Sequence, residues 1–445
     1  MPAMLDRHFT MGLDIYILIY AAIAALIVGA YLRRKARLSR EVAKVMDESE
    51  RTGLNEPASL HPVADPTKCF GSGACVRACP ENALGVVNGK AALINASACI
   101  GHGACVDACP VHALSLVFGT AKRGVDIPHV SPEYQSNVPG VYIAGELGGM
   151  GLIRKTAEQG RQAMGAIRKS VGRHTAPLDV VIVGAGPAGI SAGLSAIHHK
   201  LRYAVIDQED SLGGAVYHYP RHKIAMTAPV KLDIIGTVKL GTEVQKEKLL
   251  AFWADVMKKT GLQVRFNERF EGLERQADGS FMVRTSRETL HARCVLLALG
   301  RRGTPRKLDV PGEESAKVVY RLVDPEQYAG QSVLVVGGGD SALEAAIALA
   351  EQADGAVCLS YRSHAFSRVK EKNRLRLDEL QRSGRVRVML ASTIERIEAD
   401  KVVLKTTEGR EELPNDKVIV CAGGVLPTQL LKDIGILFET KFGKT

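Results

Sequence analysis

Nowhere in the 445 residues are two cysteines separated by two others, so the paired C-x2-C units favoured by structural zinc are missing. Low-complexity tracts and a Gly-X-Y repeat are missing too. With 46% hydrophobic and 24% charged residues, Gly 44 and Pro 18, the composition excludes a disordered or collagen-like chain. The length implies about two to four domains. Nine cysteines, an odd number, occur without a cleavable secretory signal; that combination argues against a disulfide framework and for metal. A formal charge of +10 admits nucleic acid, an anionic membrane surface or an anionic cofactor as partner.

Residues 15–32 contain no charged side chain and as a helix would span roughly 27 Å, against about 30 Å of membrane hydrocarbon. Tyr16, Tyr20 and Tyr31 lie toward its ends, and Arg33, Arg34, Lys35, Arg37 and Arg40 follow. A signal peptide has the reverse order of charge and apolar run. The expectation is an uncleaved single-pass anchor in the cytoplasmic membrane (residues 1–37, helix about 13–32), N-terminus outside and later domains cytoplasmic. A polar linker is expected over residues 38–62.

Six cysteines fall between residues 69 and 109. Cys69, Cys75, Cys79 and Pro80 form C-x5-C-x3-C-P, and Cys99, Cys105, Cys109 and Pro110 repeat it. Soft thiolates at this spacing favour iron–sulfur over a hard metal. The segment, residues 63–120, resembles the bacterial dicluster ferredoxin, in which three thiolates serve one cluster and the last serves the other. By that resemblance one cluster takes Cys69, Cys75 and Cys109, and the other Cys99, Cys105 and Cys79. The family's remaining ligand position is Ser72 in the first half and His102 in the second. Either is a ligand or a polar residue in a Gly-rich turn, so 4Fe-4S and 3Fe-4S both stand.

Further on, an apolar strand, VVIV, runs into Gly184, Gly186 and Gly189 in G-x-G-x-x-G, followed by a helical stretch and a second strand ending in Asp207, then Gly213 and Gly214. Glycines there allow the backbone to approach a pyrophosphate at a helix N-terminus, and the acid meets a ribose hydroxyl. The grammar recurs at SVLVVGGGDSALEAA, with Gly337, Gly339 and Ala342, but the next strand ends in Arg362, with Arg368 and Lys370 behind. Arginine there suits a 2′-phosphate, so NADPH is expected over NADH.

Residues 178–445 resemble the thioredoxin-reductase class of two-domain flavoproteins, which implies an α/β fold with two Rossmann-like domains, FAD in the first and NADPH in the second. The family's redox cysteine pair is missing, since residues 318–328 contain no cysteine; the chain is more similar to the cysteine-free members, such as the ferredoxin–NADP reductases of this class. The family's C-terminal G-D segment is matched upstream, at residues 136–168, with Gly145 and Glu146. The resemblance therefore implies a circular permutation: an FAD domain at 126–300 (126–176 being the moved segment) and 415–445, and an NADPH domain at 301–414. It also puts residues near Phe442 beside residues 125–128, and Arg154 and Lys155 nearest the flavin. The loop with Tyr217, Tyr219 and Thr227 is expected to line the isoalloxazine. Cys294, Cys358 and Cys421 lie in apolar runs and read as core thiols.

Together these parts read as an NAD(P)H-dependent flavin and iron–sulfur oxidoreductase with no catalytic acid or nucleophile of its own. Its expected partner is a quinone, a cytochrome or a ferredoxin, at the membrane; the class implies a homodimer. The alternatives are a flavin-dependent reductase of a small disulfide and a non-enzymatic subunit of a membrane complex. Residues 33–40 hold five basic and no acidic side chains, and residues 361–388 nine basic against three acidic. These local patches account for the charge, and nucleic acid is not expected.

Overall fold

A computed structural model describes residues 3–51, 57, 60–99, 101, 103–120, 124–149, 151–227, 229–241, 243–301, 304–352, 354–366, 369–425 and 427–443, with residues 3–18, 50 and 304 described by backbone alone. Two strand-rich cores follow a small cysteine-rich unit. In the first, Thr289–Leu297 is the central strand. It pairs in parallel with Leu178–Val183 on one side and Val141–Ile143 on the other, and antiparallel with Phe281–Thr285. Tyr203–Ile206 extends the sheet beyond Leu178–Val183. Val180 to Val183 are buried on both faces, as parallel strands under helices require. The helices Ile153–Ser170 and Pro187–His198 cover one face. They approach closely because residue 160 is glycine: a Cβ there would run into the Ala188 carbonyl.

The second core is a five-stranded parallel sheet in the order Val318–Val319, Lys417–Val420, Val333–Val336, Val357–Tyr361, Val386–Leu390. The helix Asp340–Gln352 packs on it through Ala342, Leu343, Ala346 and Leu349. The strand Phe438–Lys441 returns to the first half of the chain, pairing antiparallel with Val125–Pro128, Lys441 opposite Val125. This is the adjacency that the chain order leads one to expect.

The cysteine-rich unit has two ribbons. Leu60–Ala64 pairs antiparallel with Leu114–Phe118, Leu60 opposite Phe118, and Leu84–Val87 forms a hairpin with Lys90–Leu93. Two short helices, Ala74–Ala78 and Ala104–Asp107, each follow a left-handed glycine, Gly73 and Gly103.

The N-terminal expectation is corrected. Among the described residues no helix is long and apolar enough to cross a membrane, so the fold is mixed α/β with neither the expected anchor nor the single-pass location that depended on it. The segment is one continuous helix, Ala3–Arg51, that also takes in most of the expected linker. Of the charge-free run, residues 19–32 have described side chains. Tyr16 lies outside them. Farther along, the Val42 side chain lies against the ferredoxin-like hairpin, 3.3 Å from where a Cβ on Gly85 would stand.

Candidate cofactor sites

The six clustered cysteines divide between two hollows. One, of about 320 Å³, is lined by Cys69, Cys75 and Cys109, with Phe70, Ser72 and Val111 at its edge. The other, of about 350 Å³, is lined by Cys79, Cys99 and Cys105. This is the crossed grouping in which the last cysteine of each half serves the other site. Backbone amides support two of the sulfurs: Ala91 N–H donates to Cys69 Sγ at 3.3 Å, and Ala113 N–H to Cys109 Sγ at 3.2 Å. Such N–H···S bonds tune a bound cluster. Burial raises the Cys75 and Cys99 thiols and pushes Cys105 up to about 11, so ligation there releases protons. Among the described residues no three His, Cys, Asp or Glu converge on a single-ion site; the thiols surround hollows instead. The Ser72 hydroxyl accepts from Ala74 N–H at 3.4 Å, an ordinary turn bond. His102 lies outside the described residues.

The first dinucleotide cradle is built by the strand Leu178–Val183 and the helix Pro187–His198. Gly184 has φ +113°, and a Cβ on it would strike the Ala298 carbonyl; one on Gly189 would strike that of Gly184. Gly186 is different, with nothing nearer to its Cβ position than Gly214 Cα at 3.9 Å. Gly186 caps the N-terminus of Pro187–His198 and leaves space beside it, the setting that suits a phosphate group. Gly213 N–H closes the loop on the Ala185 carbonyl at 3.0 Å. Asp207, buried at the end of Tyr203–Ile206, accepts from Ala185 N–H at 2.5 Å and Glu209 N–H at 2.9 Å. Burial raises its carboxyl, and these bonds oppose that shift.

Gly145 meets this cradle from the other side. It has φ +84°, its Cβ position is 3.1 Å from Ala188 Cβ, and its N–H donates to Gln159 Oε1 at 2.9 Å. Glu146 lies beside Gly151, and Arg154 and Lys155 stand half-buried in the first turn of Ile153–Ser170. Sequence reasoning missed Arg301. Burial lowers its guanidinium pKa, with Glu146 and Asp126 as the opposing charges, and its Nη2 donates to the Asp126 carbonyl at 3.2 Å. A contact between residues 175 apart leaves no local pattern.

The loop after Gly214 is held by cations. Lys246 Nζ donates to the Tyr219 carbonyl at 2.6 Å and lies 5.8 Å from the Tyr217 ring centre. Thr227 Oγ1 is used on the Gly241 carbonyl at 2.7 Å. Lys223 lies over the Tyr219 ring and pairs with Glu344 at 2.6 Å, tying this loop to the second core.

The second cradle repeats the logic of the first. A Cβ on Gly337 would meet the Cys421 carbonyl, and Gly338 lies under the Tyr361 ring, whereas Gly339 has open space. Buried Ala342 packs 3.1 Å from the Cβ position of Gly337. Asp340 Oδ1 accepts from Lys370 N–H and from Asn373 Nδ2, each at 2.8 Å, fixing the start of Glu371–Arg382 beside the cradle. Arg362 is exposed just past Val357–Tyr361, whose Tyr361 ring stacks on Phe366. Arg368 lies outside the described residues. Burial pushes the Cys294 and Cys358 thiols up to about 11, as inert core thiols require.

Comparison with known proteins identifies the family. Residues 181–444 match the family described as pyridine nucleotide-disulphide oxidoreductase, and residues 61–110 match a 4Fe-4S dicluster domain. A bacilliredoxin reductase of Bacillus subtilis is 28% identical over 59% of this chain and 82% of its own. A ferredoxin–NADP reductase of Pediococcus pentosaceus is 31% identical over 57% and 75%. The bacillithiol disulfide reductase of Staphylococcus aureus, 21% identical over 59% of this chain and 81% of its own with a TM-score of 0.53, shows the fold alone. Two glycine cradles follow a unit that matches the dicluster domain, and the chain is an NAD(P)H-dependent flavin oxidoreductase with an iron–sulfur domain that belongs to the pyridine nucleotide-disulphide oxidoreductase family.

Proposed function

We propose that the protein exchanges electrons between NADPH and a one-electron carrier protein of the ferredoxin type. The observation that carries this reading is the union in one chain of two open glycine cradles and two three-cysteine hollows. Residues 318–328, which contain no cysteine, offer no dithiol for disulfide exchange, and the ferredoxin–NADP reductases among the relatives support a carrier of that kind.

A bound flavin supplies the conversion between hydride and single-electron chemistry. The protein's residues hold and tune the groups. Gly186 leaves room for the FAD pyrophosphate while Gly184 and Gly189 let strand, turn and helix pack closely beneath it, Asp207 offers its carboxylate to the ribose, and Gly213, Gly214, Gly145 and Glu146 close the cradle. Arg154 and Lys155 supply positive charge at the flavin's pyrimidine side. Gly339 leaves room for the NADPH pyrophosphate, Gly337 and Ala342 let strand and helix pack closely beneath it, and Arg362, with Arg368 and Lys370, takes the 2′-phosphate. Cys69, Cys75 and Cys109 hold one 4Fe-4S cluster, and Cys79, Cys99 and Cys105 the other, with Ser72 and His102 at the remaining positions. The domain limits are 63–120 for the iron–sulfur unit, 126–300 with 415–445 for the FAD unit and 301–414 for the NADPH unit. The pairing of Val125–Pro128 with Phe438–Lys441 supports a permuted order in the FAD unit.

The test offers the anaerobic full-length enzyme NADPH with either a purified bacterial ferredoxin or a low-molecular-weight disulfide. Ferredoxin reduction without disulfide turnover is expected; steady disulfide reduction with an inert ferredoxin would replace this reading with a disulfide reductase.

A further inference from the structure

The two cysteine hollows sit at opposite ends of the same pair of ribbons. In Leu60–Ala64 with Leu114–Phe118, Pro62 and Leu116 line the Cys79/Cys99/Cys105 hollow, while Leu114, opposite Ala64, lines the Cys69/Cys75/Cys109 hollow. In the hairpin, Leu84 at the base lines the former; at the tip, a Cβ on Gly71 beside the latter would strike the Gly89 carbonyl.

Among the described residues, contacts between this unit and the two dinucleotide cores gather at one end. A Cβ on Gly149, four residues past Gly145, would enter the Phe118 ring. The Phe118 carbonyl accepts from Gly443 N–H at 2.7 Å. Asn95, just beyond the hairpin base, donates from Nδ2 to Glu371 Oε2 of the NADPH core at 3.3 Å. The other end faces solvent: Phe70 is 61% and Val111 39% exposed at the rim of its hollow, and Asn88, Gly89 and Lys90 at the hairpin tip are exposed.

From this polarity, which rests on the proposed function, we infer that the two cysteine sites are not interchangeable. The Cys79/Cys99/Cys105 site is the inner one, addressed from the flavin cradle across the Phe118–Gly149 contact, and the Cys69/Cys75/Cys109 site is the outer one, through which electrons leave. One hydride from NADPH brings two electrons to the flavin and yields NADP+; they leave singly, inner site then outer site, to two molecules of a one-electron acceptor protein, and the proton passes to solvent.

The test compares wild type, Cys75→Ser and Cys105→Ser as full-length proteins, after flavin and iron are quantified, by anaerobic stopped-flow with NADPH and freeze-quench EPR. Flavin bleaching is recorded in each protein as the rate at which electrons enter. Cys75→Ser still reduces its inner site at the wild-type rate. Cys105→Ser reduces its outer site more slowly by on the order of tenfold. Equal rates, or the reverse order, overturn the polarity while leaving the proposed function intact; wild-type protein without flavin or iron overturns the function itself. Phe118→Ala touches no cysteine and covers the case of a variant losing both sites: the same slowing at full iron content is expected, and a wild-type rate refutes the junction.

Discussion

Glycines with the same motif role have different neighbours, and substitution should separate them. A side chain on Gly189 would collide with the Gly184 backbone, whereas one on Gly186 would enter open space. Gly186→Val should therefore yield folded protein without bound flavin, and Gly189→Val should fail to fold; flavin content and near-UV circular dichroism distinguish the two outcomes. Asp179 gives a pH-dependent case. Burial raises its pKa, but the Arg202 guanidinium and backbone amide at 2.7 and 2.6 Å and His174 at 2.8 Å outweigh that, so its pKa lies below the ordinary 3.8. A depressed carboxylate contributes stability that is present above its unfolded pKa and is lost as pH falls through the lower folded value. Asp179→Asn should thus cost about 1–3 kcal/mol at neutral pH, and denaturant melts of the two proteins should converge at acid pH. Unchanged neutral stability would contradict this. The glycines, cysteines and Asp207 were legible because their spacing is local. Gln159, Arg301 and Phe118 were not, because each acts on a residue distant in sequence.

At the scale of elements, the proposed cofactor specificity rests on a strand end. Val357–Tyr361 delivers Arg362 to the edge of the second cradle, where Lys370 is anchored by Asp340. Arg362→Glu should lower kcat/KM for NADPH relative to NADH by about tenfold, roughly 1.4 kcal/mol; an unchanged ratio would remove the arginine from 2′-phosphate recognition. Alternation of apolar strand, glycine turn and helix makes both strand-rich cores legible in the sequence, because a parallel strand buried on both faces must be a continuous apolar run. The N-terminal run had the same appearance and a different outcome. Apolarity in a window of residues 15–32 cannot show that the helix continues to Arg51 or that Val42 packs on the ferredoxin-like hairpin.

Across the whole molecule, the parts are joined where segments distant in sequence pair. The last strand lies on Val125–Pro128, directly after the cysteine-rich unit, and Gly443 reaches the Phe118 carbonyl, so the iron–sulfur unit is joined to the flavin core at both its sequence exit and the chain's final residues. The Lys223–Glu344 pair holds the two dinucleotide cores together beside the flavin loop. The charge of +10 resolves into two stretches, one exposed along the first helix and one flanking the NADPH cradle, the second matching a phosphorylated cofactor. The central claim is that hydride from NADPH becomes single electrons at cysteine-held iron. Anaerobic titration of the purified full-length protein with NADPH, followed by visible absorption and low-temperature EPR, tests it most directly. Bleaching of bound flavin together with the appearance of reduced iron–sulfur signals is predicted. Flavin reduction with iron that stays oxidised, or a protein that binds neither group, would contradict it.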